Sequence, residues 1–321
     1  MTVFSRIAGT GSYLPEKILT NHDISKLVDT SHEWIVERTG IHERRIAHSS
    51  ETVASMAERA ANEALSAANL SPIQLDLIVV ATSAPDVVFP SVACQLQSRL
   101  GARNCPAFDI QAACSGFIFA LSVADKFIRS GAARNALVVG SEINSRIVDW
   151  SDRSTCILFG DGAGAVILQA SSIGGVLGTH LHSDGRFEKL LFLPNRGKNS
   201  DGTSIDSHIV MHGNEVFKMA VSTLGQIVDE TLEVNNIHKE DIDWLVPHQA
   251  NMRIISATAK KLAMPLDKVV LTIAKHGNTS SASIPLAFDE AVRDRRIKPG
   301  NLVLMEAFGA GFSWGSALIR V

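Results

Sequence analysis

Three side chains, far apart along the chain, are of types that can cooperate in covalent catalysis: Cys114, His248 and Asn278. Cys114 stands in Asp109-Ile-Gln-Ala-Ala-Cys-Ser-Gly-Phe, where the chain changes character. Pro106 to Ile110 reads as the end of an extended segment; beyond it Phe117, Ala120, Leu121, Ala124, Phe127 and Ile128 recur at helical spacing. The thiol is therefore expected at a turn where a strand hands over to a helix. A thiol is a weak nucleophile until it ionises, and the unpaired amide N–H groups of a helix N-terminus favour the thiolate. His248 closes the apolar run Trp244-Leu-Val-Pro, and Asn278 follows Gly277 just where a helix begins. Singly, each has a structural explanation: an inert buried thiol, a hydrogen-bonded core histidine, a helix N-cap. Together they are a nucleophile and two polar partners.

The 321 residues that must position this set are long enough for a large core in two domains or one two-lobed unit. With 45% hydrophobic and 20% charged residues the chain is an ordinary globular protein rather than a disordered one. A net charge of -3 argues against general nucleic-acid binding. The cysteines at 94, 105, 114 and 156 form no C-x-x-C pair and have no histidines at zinc spacing, so no metal site is expected. There is no long apolar run and no leader signature at Met1-Thr-Val-Phe; a cytoplasmic protein with reduced thiols and no membrane contact is expected.

Helices are expected over 21–28, 31–39 with Ser31 as N-cap, 52–68, 91–100 and from the Cys114 turn to about 130. They alternate with apolar strands at Asp76-Leu-Ile-Val-Val-Ala-Thr-Ser, at Ala136-Leu-Val-Val-Gly and from Phe159, which implies a layered α/β fold. Gly160-Asp-Gly-Ala-Gly lacks phosphate-loop spacing and reads as structural.

The second half echoes the first. Asn69-Leu-Ser-Pro-Ile-Gln-Leu-Asp76 resembles Asn236-Ile-His-Lys-Glu-Asp-Ile-Asp243; Asp76 precedes Cys114 by 38 residues and Asp243 precedes Asn278 by 35. Phe159-Gly-Asp-Gly-Ala-Gly likewise matches Phe308-Gly-Ala-Gly-Phe. An internal duplication with halves 1–172 and 173–321 follows, with Cys114 and Asn278 as expected mates facing each other across the junction, where ligand sites are favoured.

Asp109-Ile-Gln-Ala-Ala-Cys-Ser-Gly-Phe, Val246-Pro-His-Gln-Ala-Asn251, His276-Gly-Asn-Thr-Ser and Glu306-Ala-Phe-Gly-Ala-Gly-Phe-Ser-Trp-Gly resemble the signatures of the β-ketoacyl-acyl-carrier-protein synthase III family of the thiolase fold. The resemblance runs the length of the chain. It implies two pseudo-symmetric βαβαβαββ halves in an α-β-α-β-α stack, the first carrying the nucleophile and the second His248 and Asn278. The implied activity is that of an acyltransferase. An acyl-CoA primer, acetyl-CoA in the first instance, loads Cys114, and malonyl-acyl-carrier protein then loses CO2 and condenses to a 3-oxoacyl-carrier protein that initiates fatty acid synthesis. Backbone amides of Cys114 and Ala310 would form the oxyanion hole, Ala310 standing where the family usually has glycine. Trp34 and Arg153 would sandwich the CoA adenine, and Thr30, Arg38, Gly213 and Asn251 would line the rest of its path. Arg253, Lys260 and Lys261 would receive the acidic carrier protein. Phe89 would floor the acyl pocket of the partner in a homodimer. No cofactor is implied, acyl-CoA being a substrate. The residues alone leave Trp34 as a half-buried helix residue and the basic groups as a solvated face.

Two other readings share the Cys-His-Asn set. A type III polyketide or alkylquinolone-like synthase would load other acyl groups, and a papain-type thioester hydrolase has the same residue order, with a Cys-to-His gap near the 134 residues found here. The hydrolase reading gives no account of the duplication.

Overall fold

The apolar run Leu77–Ala81 becomes a strand with every residue buried, as expected of a strand covered by helices on both faces. The computed structural model, which describes residues 3–194 and 207–321, sets it in a five-stranded sheet. The strands are β1 (Phe4–Tyr13), β2 (Leu77–Ala81), β3 (Ala107–Ile110), β4 (Asn135–Ile143) and β5 (Asp161–Ser171), in the order β1-β5-β4-β2-β3. β2 runs parallel to β3 and β4, and β5 antiparallel to β4 and β1. A second sheet holds β6 (Val176–Ser183), β7 (Trp244–Pro247), β8 (Leu302–Gly309) and β9 (Ser313–Arg320), in the order β7-β8-β9-β6. β7 and β8 are parallel, and β9 is antiparallel to β8 and β6. Where the first sheet has β3, the second has a single parallel bridge between Leu245 and Val269. The two sheets therefore share one strand order, the duplication expected from the echoing sequences.

The helices of eight or more residues are α1 (His32–Thr39), α2 (Val53–Ala67), α3 (Val92–Leu100), α4 (Gly116–Arg129), α5 (Gly213–Asn235), α6 (Met252–Lys261) and α7 (Ser283–Arg293). The period-two alternation of the strands decides the layers. Leu77, Val79, Val303 and Met305 point to a central cluster with Phe117 and Leu121 of α4 and Ile284 and Phe288 of α7. Ile78 and Val80 face the opposite way, onto α2 and α3, and Leu302 and Leu304 face α5 and α6. The result is the α-β-α-β-α stack of a thiolase-like fold, with α4 and α7 in the middle layer. Each large apolar side chain so buried contributes about 1.5–3 kcal/mol before chain entropy is set against it.

Local signals act where expected. Ser31 caps α1 by accepting from the Trp34 N–H, and Thr52 with Ser55 forms a capping box on α2. Several boundaries differ from expectation, among them the strand expected over Asp76 to Ser83, which is Leu77–Ala81. The helix expected over 21–28 is only Asn21–Ile24. The strand expected from Phe159 starts at Asp161, because Phe159 is bridged to Asn278 instead. The strand expected to end at Gly140 continues to Ile143, which carries Glu142 into the sheet.

The expected pairing of Cys114 with Asn278 is also corrected. α4 is preceded by a 3-10 turn, Ala113–Ser115, and α7 by another, Ser280–Ala282. Each opens on a residue with positive φ, Ala113 at 46° and Ser280 at 51°. Counted from those turns the counterpart of Cys114 is Ser281, and Asn278 lies three residues earlier. The two sequence intervals, 38 and 35 residues, differ by that same offset.

Candidate active site

Cys114 lies just beyond the C-terminal end of β3, in the turn that leads into α4. The left-handed φ of Ala113 is strained for a residue with a Cβ and marks a turn held by its surroundings. Gly309, at the end of β8, is part of them: a Cβ there would come within 2.8 Å of the Cys114 nitrogen and 3.0 Å of the Ser115 nitrogen. Only glycine leaves those amides open. The crowded position is thus 309, while Ala310 lines a small cavity beside Cys114. The expected depression of the thiol pKa is not found. Burial outweighs the helix end and pushes Cys114 up to about 11, with a hydrogen bond from Ser280 acting the other way.

His248 follows β7 and is fixed from two sides. Its backbone N–H donates to the Glu306 carbonyl at 2.8 Å, and its Nδ1 lies 2.6 Å from Ser283 Oγ at the start of α7. Ser283 Oγ also lies 3.4 Å from the Gln249 N–H. With that amide donating to it, the hydroxyl directs its own proton to Nδ1, which leaves the ring proton on Nε2. Burial pushes the His248 pKa down to about 3, so the ring is a neutral donor at neutral pH. Asn278 is held by its backbone, whose N–H donates to Leu158 O and whose carbonyl accepts from Gly160 N–H. Its Oδ1 accepts from the Ser280 N–H at 2.9 Å, which leaves the amide Nδ2 as the group free to donate.

Cys114, His248 and Asn278 line one cavity of about 110 Å³ with Gly213, Phe217, Asn251, Ile254 and Phe308. A nucleophile from the first half and two donors from the second thus share an apolar-walled space at the C-terminal ends of parallel strands, where ligands of α/β sheets are held. Among the described residues no group of three or more His, Cys, Asp or Glu side chains is placed to hold a metal ion.

The other expected residues fall in three places. Gly213 and Asn251 border the cavity, and Asn251 also caps α6 and donates from Nδ2 to the Arg38 carbonyl at 3.0 Å. Trp34, Arg38 and Arg153 cluster at α1, with the guanidinium carbons of Arg38 and Arg153 at 5.6 and 5.0 Å from the Trp34 ring centre. A base stacked between Trp34 and Arg153 needs two van der Waals spacings, about 7 Å, so Arg153, tied to the Asp29 carbonyl at 2.9 Å, must swing away to admit one. Thr30 beside them has a buried hydroxyl without a hydrogen-bond partner. On α6 Arg253 stacks on Phe217 and Lys260 is exposed, whereas Lys261 is paired with Asp229 at 2.6 Å. Phe89 is 84% exposed and away from this chain's own cavity.

The comparisons agree with the geometry. The family profile described as 3-oxoacyl-[acyl-carrier-protein (ACP)] synthase III matches residues 108–185, and that of its C-terminal part matches 232–321. A β-ketoacyl-[acyl-carrier-protein] synthase III of Methylococcus capsulatus is 64% identical over 320 residues, covering 100% of both chains. The chain belongs to the β-ketoacyl-acyl-carrier-protein synthase III family. It is an acyltransferase of the condensing class. Among solved structures, the 3-oxoacyl-[acyl-carrier-protein] synthase III of Aquifex aeolicus VF5 superposes with a TM-score of 0.92 at 50% identity, covering 99% of this chain and 100% of that one. The priming β-ketosynthase from the R1128 polyketide pathway has a TM-score of 0.94 but 37% identity, over 99% and 97% of the two chains. The papain-type hydrolase reading falls with this assignment.

Sequence reasoning missed Ser280, Ser283 and Glu142. The signals are present: Thr279-Ser-Ser-Ala-Ser283 is a buried run of small polar residues, and Glu142 is a charge at the end of an apolar strand.

Proposed function

We propose that the chain joins an acyl-CoA primer, acetyl-CoA in the first instance, to malonyl-acyl-carrier protein by decarboxylating Claisen condensation, and so initiates fatty acid synthesis. Cys114 is the nucleophile, and one thioester replaces another when the acyl group moves onto it. The amides of Cys114 and Ala310 meet the oxyanion of the tetrahedral intermediate. In the second half-reaction the malonyl group loses CO2, and the enolate-like thioester takes hydrogen bonds from His248 Nε2 and Asn278 Nδ2 before it attacks the acyl-cysteine. Side-chain donors meet the developing charge, so the reaction as read requires no metal or other cofactor.

What carries this reading is the single cavity shared by Cys114, His248 and Asn278, with both partners turned as donors. The cluster of Trp34, Arg38 and Arg153 with Thr30 receives the nucleotide of CoA, while Gly213 and Asn251 line the way to the thiol. Arg253 and Lys260 receive the carrier protein, and Lys261 joins them when it leaves Asp229. β3 is an open edge of its sheet, and Val88 and Phe89, just before α3, are 83% and 84% exposed. Both features support a homodimer in which Phe89 floors the partner's acyl pocket. On this reading the duplicated halves meet at 172/173 and the protein is cytoplasmic; among the described residues no helix is long and apolar enough to cross a membrane.

The test is to follow 3-oxoacyl-carrier-protein formation from acetyl-CoA and malonyl-carrier protein. His248→Ala and Asn278→Ala should each lose on the order of 100-fold in kcat while still accepting an acetyl group on Cys114. Variants that condense at the wild-type rate would refute these roles.

A further inference from the structure

A buried carboxylate behind the nucleophile has no part in the reaction as described so far. Glu142, near the end of β4, is fully enclosed and receives a dense set of donors. The Ser83 N–H lies 3.1 and 3.0 Å from its two oxygens, Ser83 Oγ 3.1 Å, Thr82 Oγ1 3.3 Å, Ser281 Oγ 2.7 Å and Ser280 Oγ 3.3 Å. Such a shell suits an anion, since an ionised carboxylate only accepts. Ser280 shares the lining of a small cavity with Cys114, and its hydroxyl favours the thiolate. It is placed there by a backbone with φ of 51°, a strained conformation kept only where the surroundings impose it. Ser280 thus stands between the cavity that Cys114 lines and the Glu142 carboxylate in the sheet.

Building on the assignment of Cys114 as the acylated residue, we propose that Ser280 is a further catalytic residue and Glu142 a positioning residue behind it, together forming the proton store for Cys114. In the first half-reaction the Cys114 S–H bond breaks, Ser280 Oγ takes that proton and its own hydroxyl proton passes to Glu142 Oε1. The sulfur lone pair attacks the thioester carbonyl, the carbon–sulfur bond to CoA breaks, and CoA leaves as a thiolate that is protonated by solvent. In the second half-reaction the enolate displaces Cys114, and the proton returns from Glu142 through Ser280 to the cysteine sulfur. One proton is drawn from solvent per turnover, as loss of CO2 from a carboxylate requires.

The other titratable side chain lining the cavity is a weaker base. His248 is a neutral ring with Nδ1 engaged by Ser283, and burial holds its proton affinity far below the usual imidazole value. Burial raises the proton affinity of Cys114 and of Glu142 alike, so moving the proton between them leaves one buried charge before and after. The other ionisable groups on the elements packed around Glu142 are already engaged. Asp161 on β5 is held by the Ala47 and Ser145 N–H groups and Ser145 Oγ, with Arg146 beside it; Asp109 on β3 accepts from the Val92 and Ala93 N–H groups.

The experiment measures the rate of Cys114 acylation by acetyl-CoA, by rapid-quench intact mass from pH 5.5 to 10, in the full-length protein and in Glu142→Gln and Ser280→Ala. The wild-type rate should be flat once Glu142 is ionised. Both variants should be on the order of 100-fold slower near pH 7 and should gain about tenfold per pH unit, because the thiol must then ionise into solvent. Loss of mere support would lower the rate without adding that slope. If Glu142→Gln does not fold, Ser280→Ala decides alone. Variants with the flat wild-type profile would overturn the proposal while leaving Cys114 as the nucleophile; a wild-type protein that takes no acyl group would overturn both.

Discussion

At the scale of single residues, the site depends on which hydrogen atom each polar group presents. His248 donates from Nε2 only while Nδ1 is supplied with a proton by Ser283, and Asn278 donates from Nδ2 only while Oδ1 is occupied by the Ser280 N–H. Ser283→Ala should therefore free the ring to take the other tautomer. Condensation should fall about tenfold, the value of roughly one hydrogen bond, while acylation of Cys114 by acetyl-CoA is retained. Separate rate measurements of the two half-reactions check this, and an equal loss in both would mean that Ser283 only supports the fold. Cys114, His248 and Asn278 were legible in the sequence because each ends or begins a run of clear periodicity. Ser280, Ser283 and Glu142 were not, because their importance comes from one φ angle and from tertiary neighbours.

At the scale of elements, the two 3-10 turns that open α4 and α7 set the distance between nucleophile and donors. Gly140 on β4 lies under the second of them, and a Cβ at that position would come within 2.3 Å of the Ser281 carbonyl oxygen. Backbone cannot give way as a flexible side chain does. Gly140→Ala should cost roughly 1–3 kcal/mol and lower the melting temperature by several degrees, with activity falling further as Ser280 and Asn278 are displaced. Thermal unfolding by calorimetry, with kcat measured on the same preparation, checks both. An unchanged melting temperature would show that the turn moves freely. Helices and strands were readable from hydrophobic period and caps, but their ends were not. Whether β4 stops at Gly140 or runs to Ile143 depends on its pairing with β5, which no local signal carries.

At the scale of the whole molecule, the duplication does the positioning. Two sheets of one strand order pack against a shared middle layer, so strand ends from both halves open on the same cavity. The echo of Asp76 by Asp243 made the repeat visible, and in the fold both carboxylates perform one task. Asp76 accepts from the Asn135 N–H at the head of β4, and Asp243 from the Leu302 N–H at the head of β8. The echo points to Asn278 only through side-chain chemistry; counted in residues, the 38 from Asp76 to Cys114 match the 38 from Asp243 to Ser281. Condensation by this chain requires Cys114 to carry the acyl group in a space it shares with His248 and Asn278. The most direct test is intact-mass measurement after mixing with acetyl-CoA and then with malonyl-carrier protein. The wild-type chain should gain one acetyl group and lose it on the second addition as 3-oxoacyl-carrier protein forms, and Cys114→Ala should gain none. An adduct that survives in Cys114→Ala, or a wild-type chain that takes no acyl group from any of a panel of acyl-CoAs, would contradict it.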